Sequence, residues 1–231
     1  MSVASIHFGR AVLDRQESDA VDSSSSGWCS LQLPGLEALV ADCRLLGGVT
    51  ELAGPSERGG ITQLALRLIS AIHRAQAGSW CVWFDPERTL HAPGVAQAGV
   101  DLRRLMVVHA PEETLAQWVL RTVNRGLFDG LVVDVQSALL NKPAFSADQL
   151  LDQHWVRRLT LASEKNRTRV LLLTDASEEH DQPWPVAQKL KCKQPEPDVV
   201  EVEIAKARHG TVTAPKRISL VSVRTRWKRG G

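Results

Sequence analysis

Gly54-Pro55-Ser56-Glu57-Arg58-Gly59-Gly60-Ile61-Thr62 follows a short apolar run, Val49 to Leu52, and opens a stretch with Ile61, Leu64, Ala65, Leu68, Ile69 and Ile72 at helical spacing. Strand, glycine turn and amphipathic helix in this order form the frame of a phosphate-binding loop, G-x-x-x-x-G-K-[ST]. In such a loop backbone N–H groups cradle phosphates, the lysine reaches the β and γ oxygens, and the hydroxyl holds magnesium. Here Gly60 stands at the lysine position and Ile61 at the hydroxyl position. A charge-assisted hydrogen bond contributes roughly 1.5–3 kcal/mol, so losing both partners is expected to weaken nucleotide binding by orders of magnitude. Hydrolysis should suffer more, because phosphoryl transfer relies on these charges in its transition state. Thr62, one residue late for the metal, and Arg58, long enough to fold back over a phosphate, offer partial replacements. The other reading is a glycine turn that only joins strand to helix.

With 231 residues, 43% of them hydrophobic, the chain can bury a sizeable core in one domain. No run approaches the ~18 apolar residues that span a bilayer, and the N-terminus lacks the unbroken apolar block of an export signal. A cytoplasmic protein is expected. Cys29, Cys43, Cys81 and Cys192 are scattered without a C-x-x-C pair, which predicts reduced thiols. The net charge of +2 means that any nucleic-acid surface must come from local clustering of charge.

Residues 1–27 start with a possible short helix, Ser5 to Leu13, and end in a serine run, Ser23 to Ser26, that reads as a linker. The spacing predicts a core over 28–223 and a basic tail over 224–231. Leu31 to Val40 carries apolar residues at helical spacing. Trp80 to Phe84 is a continuous apolar run suited to a buried strand, followed by Asp85-Pro86-Glu87-Arg88. Next come a strand at Met106 to Val108 and a helix from Glu112 to Arg125, with Leu115, Trp118, Val119, Thr122 and Val123 on one side. Leu131 to Asp134 reads as a buried strand ending in a carboxylate. A helix over 147–165 and a strand from Arg169 to Thr174 follow. Alternation of this kind predicts an α/β fold, a mostly parallel twisted sheet with helices on both faces. The proline-containing segment 176–197 reads as a loop. Val200, Val202 and Ile204 then alternate with Glu201, Glu203 and Ala205, and Ile218, Leu220, Val221 and Val223 supply a return strand after His209-Gly210. These give an antiparallel C-terminal strand pair.

The order of these pieces resembles the RecA recombinase core and, most closely, the ImuA family, RecA-like accessory proteins of damage-induced mutagenesis in bacteria. Val49 to Pro55 resembles the strand and Gly-Pro opening of the RecA phosphate loop. Cys81 to Leu90 resembles the strand that carries an aspartate, a spacer and the catalytic glutamate, which places Glu87 at the glutamate position. Ala98 to Leu102 follows at the expected distance. Phe128 to Asp134 resembles the Walker B strand, with Asp134 in the magnesium-linked place. The resemblance covers roughly 30–223 and is weak in the loops. It departs at Gly60 and Ile61, and at Thr174-Asp175, where RecA has a nucleotide-sensing asparagine and glutamine. Lys206 and Arg208 fall near the register of two RecA lysines that reach a neighbour's nucleotide. There is no room for the large C-terminal RecA domain.

Glu87 and Asp134 are thus vestigial candidates rather than working catalytic groups, since no phosphate anchor positions a substrate for them. Neither ATP nor magnesium is expected as a cofactor, and no histidine or cysteine spacing suggests zinc. Lys216, Arg217, Arg224, Arg226, Lys228 and Arg229 carry positive charge with no acid between them, and Trp227 offers a stacking face. This tail fits a phosphate backbone with one stacked base, a protein partner anchored by Arg and Trp, or a solvated basic end. The resemblance implies a non-enzymatic protein that binds RecA, an ImuB-like polymerase factor or single-stranded DNA in support of SOS translesion synthesis, dampening recombination and associated with the nucleoid. Two alternatives are a weak DNA-stimulated ATPase with a non-standard loop and a SulA-type inhibitor of cell division.

Overall fold

A computed structural model of the chain describes residues 48–55, 60–135, 152–175, 184–207 and 213–219. The expected helix at Ser5 to Leu13, the serine linker, the stretch Leu31 to Val40, Cys29, Cys43, Ser56 to Gly59, Arg208, the His209-Gly210 turn, Leu220 to Val223 and the tail Arg224 to Gly231 lie outside the described residues.

Apolar runs with no polar side are stable only where both faces are covered, and the central strands have that character. β1 (Gly48–Ala53), β2 (Cys81–Phe84) and β4 (Gly130–Asp134) are buried at every position. With β3 (Leu105–Val108), β5 (Arg169–Thr174), β6 (Gln188–Glu196), β7 (Val199–Ala207) and β8 (Thr213–Ser219) they form one sheet of eight strands in the order β3-β2-β4-β5-β1-β6-β7-β8. Every pairing from β3 across to β6 is parallel, and β7 and β8 are added antiparallel. The expected mostly parallel sheet with an antiparallel C-terminal pair is therefore present.

Alternate residues of the central strands β1, β2, β4 and β5 enter two separate cores. α1 (Gly60–Ala75) lies on one face. Its Ile61, Leu64, Ala65, Leu68, Ile69 and Ile72, the stripe read from the sequence, are all at most 1% exposed. Burying each large side chain contributes about 1.5–3 kcal/mol, so this stripe fixes the helix against Leu52, Leu171 and Leu173. The short helix α2 (Ala92–Gln97) sends Val95 into the same core. The other face carries α3 (Glu112–Arg125) and α4 (Gln153–Lys165), which meet Val49, Phe84, Val133 and Leu172. α3 stops at Gly126, a left-handed cap at φ 62° whose N–H reaches the Val123 carbonyl at 3.0 Å. α4 starts where Asp152 accepts the Trp155 N–H at 2.6 Å, and Trp155 donates its indole N–H to the Ala116 carbonyl of α3.

Three expectations need correction. Segment 176–197 is not wholly loop: β6 occupies Gln188–Glu196, with Leu190, Cys192 and Gln194 inward and Lys191 and Lys193 outward. Its period-2 pattern was hidden by lysines and by Pro195, which sits at a register irregularity between Lys193 and Glu196. The return strand begins earlier than expected, at Thr213, and accommodates Pro215 because β8 is an edge strand. Trp118 is 41% exposed, because 3.6-residue geometry sets it on the flank of the Leu115, Val119 and Val123 stripe.

Candidate functional site

In parallel α/β sheets ligands collect at the carboxyl ends of the strands. At that edge β2, β4, β5 and β1 end side by side, in Asp85, Asp134, Asp175 and Gly54. Gly54 prolongs the β1–β5 ladder, its N–H bonding the Thr174 carbonyl at 3.1 Å. β1 ends at Ala53 and α1 begins at Gly60, the strand and the helix that the sequence predicts on either side of the loop.

Side chains pack closely against Gly54 and Gly60. Ile61 is 1% exposed, and a β-carbon on Gly54 would lie 2.7 Å from its Cγ2. Gly60 is pressed against the neighbouring strands: a β-carbon there would meet the Gln194 Oε1 at 2.9 Å and the Val200 Cγ2 at 3.2 Å. Gln194 is held in place, its Nε2 donating to the Pro197 carbonyl at 2.7 Å. The lysine position is thus a close helix–sheet contact, and the hydroxyl position is a core residue. Thr62 is half-buried on the next helical position.

The acids at this edge have distinct surroundings. Asp85 is fully buried and caps the turn that follows β2, accepting from Thr89 N (3.0 Å), Thr89 Oγ1 (3.3 Å) and Leu90 N (2.9 Å). Within that turn Arg88 adopts φ 58°, and Glu87 is half-buried. Asp134 is 4% exposed at the end of β4. Asp85, Glu87, Asp134 and Asp175 thus set four carboxylates along this edge. No group of three or more potential metal ligands exists among the described residues.

A buried polar row that the sequence reading did not single out crosses the sheet beside the loop. Glu51 on β1 accepts the Thr174 hydroxyl at 3.0 Å and faces Lys189 Nζ at 3.6 Å. Glu51 and Lys189 are direct register partners, as are Lys189 and Lys206. All three of Glu51, Thr174 and Lys189 are at most 8% exposed. The β-bulge between Lys189 and Leu190 re-aims Lys206, whose ammonium donates to the Trp184 carbonyl at 2.7 Å. The signal for this row was Glu51 and Thr174 inside otherwise apolar strands.

Of the other basic candidates, Arg217 stands 3.8 Å from Glu196 and 3.9 Å from Glu201, and Lys216 is half-buried. Lys191 and Lys193 are cross-strand partners of Glu203 and Glu201. Positive charge on the antiparallel extension is therefore interleaved with acid. No protein-family model matches this chain.

Proposed function

We propose that this chain is a non-catalytic RecA-like protein of the ImuA kind, which binds RecA, an ImuB-like polymerase factor, or both, in support of SOS translesion synthesis. The observation that supports the reading is the close packing at Gly60 and Ile61, where a working phosphate loop would have its lysine and hydroxyl. Asp134 ends β4 and Glu87 lies in the turn after β2, the places that the resemblance assigns to them. A sheet with this order of strands and helices but without those anchors suits a partner surface better than a motor.

A RecA-shaped surface that does not switch with ATP would join the end of a RecA filament or compete for its protomer interface. Either action dampens strand exchange and favours lesion bypass. DNA contact, where it occurs, rests on the tail residues Arg224, Arg226, Trp227, Lys228 and Arg229, since Lys206 and Arg217 have internal partners.

The test is a pull-down of purified RecA and ImuB with the intact chain and with a chain truncated after Val223, at low and moderate salt without nucleotide. Retention of either partner without ATP supports the reading, and loss on truncation locates the contact in the tail. Retention of neither partner overturns it.

A further inference from the structure

His73 lies in the last turn of α1, 4% exposed, against the turn that leads into edge strand β3. Its Nδ1 accepts the backbone N–H of Asp101 at 3.3 Å. That role fixes the neutral ring with its proton on Nε2, a buried nitrogen with no hydrogen bond of good geometry among the described residues. The His73 carbonyl accepts from both Nη atoms of Arg104 at 3.4 Å. One helical turn earlier Ser70 Oγ donates to the Gly99 carbonyl at 2.8 Å. The end of α1 is therefore stitched to residues 99–104 at three points, and His73 makes two of them.

We propose that His73 is a pH-responsive latch that holds the 99–104 turn, and with it the sheet edge at β3, against α1. Protonation of Nδ1 would turn the acceptor into a donor facing another donor, the Asp101 N–H. It would also place a cation in a buried pocket beside the Arg104 guanidinium.

Burial first, and Arg104 second, push the imidazole below the usual histidine range. Asp101, the Arg104 backbone and Asp129 pull the other way and do not prevail. The Asp101 carboxylate is already engaged by Arg103 and Arg104, at 3.0–3.3 Å, and Asp129 accepts the Trp80 N–H at 2.9 Å. Arg74, next to His73 on α1, adds positive charge on the exposed side. Neutral His73 thus stabilises the closed turn at and above neutral pH, and that stabilisation is lost as pH falls below the ordinary histidine value.

Release would reach β3 directly. Its sole strand neighbour among the described residues is β2, and Leu102 just before it and Val107 within it are already 48% and 38% exposed. Freeing the turn would uncover Val100 and Leu105 from the α1 core as well.

Hydrogen exchange on the full chain tests this, at about pH 7.5 and about pH 5.5 with intrinsic rates corrected. Amides of 99–108 should lose up to about tenfold protection at the lower pH, while β5 and α4 keep theirs. His73→Asn places an unprotonatable acceptor near the Nδ1 position and should abolish the difference. Equal protection at both values in the wild type overturns the proposal, as does an unchanged loss in His73→Asn. If that variant fails to fold, the wild-type imidazole titration decides. A His73 value at or above the ordinary one also overturns the latch.

Discussion

Gly60 at the start of α1 and Gln194 on β6 approach so closely that a β-carbon on the glycine would sit 2.9 Å from the glutamine amide oxygen. A phosphate loop needs a lysine at this residue, and this chain uses the same residue to seat α1 on the sheet.

Restoring the motif letter by letter should therefore fail. Gly60→Lys is expected to cost about 1–3 kcal/mol by overpacking against Gln194 and Val200. Ile61→Thr empties part of a core site and buries a hydroxyl, at a cost of roughly 2 kcal/mol or more. Denaturation midpoints of the single and double variants measure these losses. A double variant as stable as the parent would show that the loop is only dormant.

The Glu51–Lys189 pair should behave as a buried ion pair rather than a surface one. Lys189→Met alone is expected to destabilise by about 3–5 kcal/mol, because it removes the cation that faces the buried Glu51 carboxylate. Adding Glu51→Leu should recover most of that loss. Additive losses in this double-mutant cycle would remove the pair from the account.

Cys81 and Cys192 are free, buried thiols, each pushed up to about 12 mainly by desolvation. At pH 8 the thiolate fraction is then about one in ten thousand, so neither should react with a thiol reagent until the sheet opens. Labelling at these two positions, followed by mass spectrometry with and without denaturant, checks this. Rapid labelling of native Cys192 would mean that β6 is not held against α1.

Asp101 contributes at the acid end. Hydrogen bonds from Arg103 lead the causes that hold its carboxyl down at about 2, below the ordinary aspartate value. Its stabilisation is complete above the unfolded pKa of about 3.8 and is lost as pH falls through 2. Asp101→Asn should flatten the acid limb of the unfolding curve over that window. An acid limb identical to the parent's would assign the effect to other carboxylates.

Much of the sheet was visible because buried parallel strands are continuous apolar runs, as in Arg169 to Thr174 and Leu131 to Asp134. α3 was read at its true limits because a proline, two acids and a closing glycine mark both ends. β6 was missed for a physical reason: only one of its faces is buried, and the exposed face carries Lys191 and Lys193 next to a proline. The sequence exposed the loss of the loop's lysine and hydroxyl but not what replaced them. Gly60 against Gln194 joins residues far apart in the chain, and no local pattern announces such a contact. The same holds for Glu51 and Lys189, which meet only because β6 lies beside β1.

The most direct test of the central claim is an equilibrium titration of the intact chain with magnesium–ATP, alone and after addition of single-stranded DNA. The account predicts no saturable binding at millimolar nucleotide and no phosphate release above background. Saturable binding that disappears in Asp134→Ala would contradict it, since the strand-end aspartate would then be holding magnesium in a working site.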